Sequence, residues 1–154
     1  MDKALLVGLN KYESVPDLRG CENDVRIISQ LLVEQYGFQD SNIVKLLNED
    51  AIKRNVVQEL ETLTDGAKPG ERLVFHFSGH GSYRPSENDD EEVDEIICFY
   101  DMDWDAPSTF LIDDELGDLL ARIVPENVQL TVVLDACHSA TGTRQLGDGK
   151  TSEK

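Results

Sequence analysis

Apolar positions along the chain recur with two periods, and the two alternate. Short unbroken apolar runs occur in "KALLVGLN", "NIVKLL", "RLVFHFS", "EIICFY" and "VQLTVVLD", and each reads as a buried strand. Helical patterns lie between them. In "CENDVRIISQLLVEQYG", Val25, Ile28, Leu31 and Leu32 fall near one face, and Gly37 is placed to close the helix in the left-handed conformation. "AIKRNVVQELETL" repeats the period through Ile52, Val56, Leu60 and Leu63 until "DGAKPGE" breaks it, and "DDELGDLLARI" is a helix with an acidic first turn. Strands alternating with helices predict an α/β fold in which a mostly parallel sheet carries helices on both faces. Ligands of such sheets sit outside the carboxyl ends of the strands, which directs attention to the residues just after each run.

Two strand ends carry chemistry: "HFSGHGS" after the third run and "LDACHSATG" after the last. A thiol needs a base to become a thiolate and an acid to protonate the leaving amine, and one imidazole serves both steps, so His80 and Cys137 form a minimal catalytic set. The glycines flanking His80 predict a sharp turn there and a close approach of backbone to ligand. His138 directly follows Cys137, and neighbours on extended chain point to opposite sides, so it is a poor partner for the thiol. His76, inside its apolar run, reads as a core residue with satisfied nitrogens. Six residues separate Cys137 from Arg144, too many for the phosphate-clamping loop of cysteine phosphatases, and Asp135 would repel a phosphate.

Length and charge narrow the class. A chain of 154 residues reads as one domain able to bury roughly 70% of its unfolded surface without staples. With 31 acidic against 14 basic residues the net charge is −17, which repels phosphate backbones and anionic headgroups. Nucleic acid and membrane are therefore excluded as partners, whereas cations and basic peptide segments suit the surface. The first residues, "MDKALLVGLNKYE", hold an apolar run too short for a signal peptide or a membrane span, and three cysteines cannot all pair, which predicts a cytoplasmic protein with reduced thiols.

"HFSGHGS" followed by "LDACHS" resembles the paired His and Cys motifs of metacaspases, the caspase-like cysteine peptidases. His80 lies 57 residues upstream of Cys137, close to the interval of about 50 residues in caspases. "LRGCENDV" is similar to an early segment of the same family, so the resemblance runs through nearly the whole chain. It implies a caspase-like three-layer fold and a cysteine endopeptidase that cleaves protein substrates after Arg or Lys. Cys137 would be the nucleophile and His80 the acid/base, with the backbone N–H groups of Gly81 and Cys137 holding the oxyanion. Cys21, Asp24, Ser78 and Asp135 match the positions lining the family's specificity pocket. For Asp135 the residues agree: it lies two positions before Cys137, on the same side of extended chain, and an anion that hinders a thiolate should have another task, such as holding a substrate cation. Two alternatives stay open: an inactive caspase-fold interaction module, and a clostripain-like or gingipain-like peptidase, against which "CENDV" argues.

Residues 87 to 118 carry 14 of the acids and no Lys or Arg. Calcium, which takes several carboxylate and carbonyl oxygens, suits such density. No cofactor is needed for the chemistry, but some metacaspases require calcium as an activator, and the resemblance maps its ligands onto Asp94, Asp113 and Asp114. A solvated acidic loop, with Asp113 as a helix cap, is the competing expectation. The family's further ligand, an Asp seven positions after the nucleophile, is Arg144 here, and Ala140 stands where the family usually has Gly. Caspase-like units continue past the nucleophile into a small-subunit segment, whereas this sequence ends 17 residues after Cys137. The expected organisation is a catalytic large subunit over 1–142 and a mobile polar tail or inter-subunit linker over 143–154, completed by a small-subunit segment or chain. Arg144, Lys150 and Lys154 in that tail are expected sites of self-processing.

Overall fold

The computed structural model describes residues 1–87 and 92–137. The order is β1 (Lys3–Gly8), α1 (Cys21–Tyr36), β2 (Ile43–Leu47), α2 (Lys53–Thr64), β3 (Arg72–Pro85), β4 (Val93–Cys98), β5 (Phe110–Ile112), α3 (Asp113–Ile123) and β6 (Gln129–Cys137), with short 3-10 turns before β2, α2 and β5. Strands β2, β1, β3 and β6 lie side by side and parallel. Alternate residues of β1 feed opposite faces, as a two-residue period requires. Ala4 and Leu6 pack with Val25 and Leu32 of α1, while Leu5 and Val7 pack with Val56 and Leu60 of α2 and Leu116 and Leu119 of α3. Three layers result. Each such side chain, fully withdrawn from water, contributes roughly 1.5–3 kcal/mol.

The helices begin and end for local reasons. Gly37 closes α1 at φ 75°, and its N–H donates to the Leu32 carbonyl. Leu31 is 41% exposed, because it sits a third of a turn away from the stripe of Val25, Ser29 and Leu32. Asp113 is the first helical residue of α3, and no side chain caps that helix at Ile112.

The sequence expectation fails at the glycines beside His80. Instead of turning, the chain runs straight through "SGHGSYRP", making β3 a 14-residue strand. Its first part pairs with β1 and β6, and its last part, Gly81 to Pro85, pairs antiparallel with β4, which pairs with the unanticipated β5. Gly79 is needed for space and not for a turn: a Cβ there would lie 2.6 Å from the Tyr12 hydroxyl and 2.8 Å from the Phe77 ring. At Gly8 a Cβ would meet Val25 at 2.6 Å and the Cys21 carbonyl at 2.8 Å, so its absence lets the start of α1 settle on the end of β1.

Candidate active site

Strands β3 and β6 bring the two chemical motifs to one row. The ladder between them pairs Ser78 with Asp135, Gly79 with Ala136 and His80 with Cys137. His80 is almost fully buried. Its Nε2 lies 2.6 Å from the Pro16 carbonyl, which only accepts, so Nε2 carries the proton and Nδ1 is left as a base. Nδ1 has no hydrogen-bond partner among the described residues. A buried, unpartnered imidazole nitrogen, on the row that also holds the chain's last strand cysteine, fits an acid/base poised for a thiol. Gly81, the expected oxyanion donor, is buried beside His80 in β3 and pairs with Ile97.

The loop after β1 supplies what sequence reasoning missed. Tyr12 accepts the His80 backbone N–H at 2.8 Å, and its ring lies 4.8 Å from the imidazole. Asp17 accepts from the Tyr12 N–H at 3.3 Å and from Lys11 Nζ at 2.7 Å. Asn48, at φ 48°, accepts from the N–H groups of Asn10 and Lys11, each at 3.0 Å. These bonds hold the loop that presents Pro16. Asn10 also caps α1 from a distance: its Oδ1 accepts from the N–H groups of Cys21 (2.8 Å) and Glu22 (3.3 Å), because Gly20 has no side chain to do so. The position of Asn10 and Tyr12 just past the carboxyl end of a strand was the available signal.

The residues expected to line a specificity pocket lie at the same sheet edge. Ser78 donates to Asp24 Oδ2 at 2.8 Å, Asp24 sits in the first turn of α1, and Asp135 is the ladder partner of Ser78. The positive end of the helix dipole favours an anion at Asp24. Asp135 is exposed and Cys21 buried. His76, two positions below Ser78, is buried as expected, but its Nδ1 has no partner among the described residues. Burial pushes its pKa down, against the opposing pull of Asp24 and Asp135. The folded protein therefore prefers neutral His76. Stability from this group is full above the ordinary histidine value of about 6.5 and is lost progressively as the pH falls from there toward the lower folded value. Melting temperature should accordingly fall less steeply between neutral and mildly acidic pH in His76→Asn than in the parent. Parallel slopes in thermal melts would remove His76 as the cause.

Of the three calcium candidates, two share a cavity and the third does not. Asp94 and Asp114 line a cavity of about 530 Å³ together with Arg84 and Arg122, while Asp113 lines a neighbouring one. Asp94 Oδ2 accepts from Arg84 Nε at 3.0 Å, and its buried Oδ1 has no partner among the described residues. A hydrogen bond from Ser86, then Arg84, holds the Asp94 carboxyl below its ordinary range against the cost of burial. Among the described residues no three metal-ligating side chains gather. With a guanidinium already on Asp94, these residues fit a calcium ion poorly, and no catalytic step is routed through one. Calcium at millimolar concentration should raise the melting temperature no more than magnesium does; a calcium-specific rise would assign a site.

The side chain of Cys137, His138, the 143–154 tail, and Arg144, Lys150 and Lys154 within it lie outside the described residues. Among the described residues no helix is long and apolar enough to cross a membrane.

A crystal structure of protein GSU0716 from Geobacter sulfurreducens matches this fold with a TM-score of 0.73 and 29% identity, over 91% of this chain and 52% of that one. A three-layer α/β fold with a His and a Cys paired on neighbouring strands at the carboxyl edge of its sheet is the caspase-like arrangement. The sequence matches the family described as metacaspase, peptidase C14 domain, over residues 2–144, and the chain belongs to that family. It is 34% identical over 145 residues to metacaspase-1 of Eremothecium gossypii, covering 90% of this chain and 32% of that protein. It is 38% identical over 164 residues to metacaspase-6 of Arabidopsis thaliana, covering 99% and 43%. The chain thus spans less than half the length of these relatives.

Proposed function

We propose that this chain is the catalytic portion of a cysteine endopeptidase that cleaves protein substrates after Arg or Lys. The observation that carries this is the rung joining His80 to Cys137, with His80 Nε2 committed to the Pro16 carbonyl and Nδ1 left as base. His80 Nδ1 takes the thiol proton of Cys137, and the thiolate attacks the scissile carbonyl carbon. The oxyanion is held by the backbone N–H groups of Gly81 and Cys137. His80 then returns the proton to the leaving amine as the C–N bond breaks. Water, deprotonated by the same imidazole, cleaves the thioester, and the proton restores the thiol. Asp24 and Asp135 supply the anionic pocket for the basic side chain, and Ser78 orients Asp24. Family membership supports the cysteine-peptidase class.

A companion segment or chain belongs to this reading. Strand β6 exposes Val132, Val133 and Leu134 at 37%, 41% and 47%, an unusual amount of apolar side chain for the strand that leads to the nucleophile. A further strand along β6 would cover it and brace the site. The experiment is an assay with short fluorogenic peptides ending in Arg, Lys or Asp, run on the chain with and without a downstream segment. Cleavage after Arg and Lys but not Asp is expected. Cleavage after Asp, or none in either form, overturns the proposal.

A further inference from the structure

We propose that Tyr12 is a positioning residue that fixes the backbone and the ring of His80 for catalysis; this rests on His80 being the acid/base. The β1 ladder with β3 ends at Gly8 opposite Ser78, and the last main-chain bond from that side is Leu9 N–H to the Ser78 carbonyl. Past that point β3 has lost its neighbour on the β1 side, just where the catalytic histidine sits. The Tyr12 hydroxyl replaces the missing strand. It accepts the His80 N–H at 2.8 Å and donates to the Cys98 carbonyl at 3.3 Å, tying His80 to the end of β4.

The same side chain restrains the imidazole. The two rings lie 4.8 Å apart at 53°, and the opposite constraint is the Pro16 carbonyl on Nε2. Tyr12 and Pro16 belong to one loop, closed by Asp17 on the Tyr12 N–H and by the Leu18 N–H on the Asn10 carbonyl at 2.7 Å. Backbone, ring face and Nε2 are thus all set by residues 10–18, and only Nδ1 is free among the described residues. Tyr12 is 8% exposed, and burial pushes its phenol well above the ordinary tyrosine range, so the hydroxyl keeps its proton and its donor role at every working pH. The close approach needs Gly79, where a Cβ would stand 2.6 Å from the Tyr12 oxygen. The Tyr12 hydroxyl shares that space with the Phe77 ring, at 2.8 Å from the same Cβ position.

The test uses two variants that disturb the contact from opposite sides. Tyr12→Phe keeps the ring and removes the hydroxyl; Gly79→Ala keeps Tyr12 and pushes it away. Each should lower kcat about tenfold, the scale of one or two lost hydrogen bonds, with KM unchanged and with a shifted acid limb of the kcat/KM profile. Imidazole nitrogen shifts of His80 in the Cys137→Ala background give a readout that needs no turnover, and both variants should move them. A core role alone would lower the melting temperature of Tyr12→Phe while kcat, the acid limb and the His80 shifts stay as in the parent, and that result overturns the proposal. Loss of the dyad reading looks different: the parent itself would show no Cys137-dependent cleavage, and the His80 shifts would then decide the positioning role by themselves.

Discussion

Peptide cleavage should fall by a factor on the order of 10⁴ or more in both Cys137→Ala and His80→Ala, with the fold retained. The size follows from the lack of a substitute among the described residues. Cys98 is buried, and burial pushes its thiol up to about 12, so it is not a thiolate at neutral pH. Cys21 is buried at the start of α1 and has no place on the β3–β6 ladder. His76 cannot stand in for His80, since its ladder partner is Val133 and burial makes it a weaker base. The two single variants and the double variant should lose activity equally, because one nucleophile and one base act as a unit. Specific cleavage rates with active-site titration, beside thermal melts, check this. Residual cleavage in Cys137→Ala within tenfold of the parent would place the nucleophile elsewhere.

The parts of this site that lie in side-chain identity were legible beforehand, and the parts that lie in backbone were not. His80 and Asp135 stand out as polar groups at strand ends, and Asp24 and Ser78 follow from the family resemblance. The Pro16 carbonyl does not, because every residue carries one and only the fold of the loop decides which is presented. Secondary structure divided in the same way. Gly37 ended α1 as read, since a helix end requires only its own residue to go left-handed. Gly79 and Gly81 were read as a turn because a strand interior normally loses stability to glycine. At Gly79 the reason is space instead, since a Cβ there would meet the Tyr12 hydroxyl and the Phe77 ring. Strand β5 escaped notice because it has three residues, "FLI", continuous in sequence with the helical pattern of α3. Sequence counts the charges around Asp94 without pairing them, whereas in the fold Arg84 reaches across from β3 to meet Asp94 on the neighbouring strand.

Replacing Asp24 or Asp135 by Asn should reduce discrimination for Arg over its neutral isostere citrulline by about a hundredfold, the scale of a lost charge-assisted hydrogen bond in a partly enclosed site. Each aspartate reaches the sheet edge by a separate route: Asp24 from the first turn of α1, braced by the Ser78 hydroxyl, and Asp135 from β6, across the ladder from the same serine. Among the described residues neither is paired with a Lys or Arg, although six ion pairs occur elsewhere. Asp24 and Asp135 both pull the His76 pKa up, but burial pushes it down further, so the imidazole leaves their charge uncompensated. On the proposed reading the two anions face one pocket and repel each other, and a guanidinium or ammonium that enters relieves the repulsion as well as forming its own bonds. Asn preserves the shape, and its carbonyl oxygen still accepts from Ser78, so the loss should fall on selectivity and leave folding intact. The expected pattern is a drop in kcat/KM for Arg and Lys peptides with little change for citrulline. A uniform drop for all three would assign these aspartates to the framework of the sheet edge, and indifference to both substitutions would put the pocket elsewhere. The double Asn variant should cost less than the two single losses added, since removing the first anion also removes the repulsion that the substrate cation relieves.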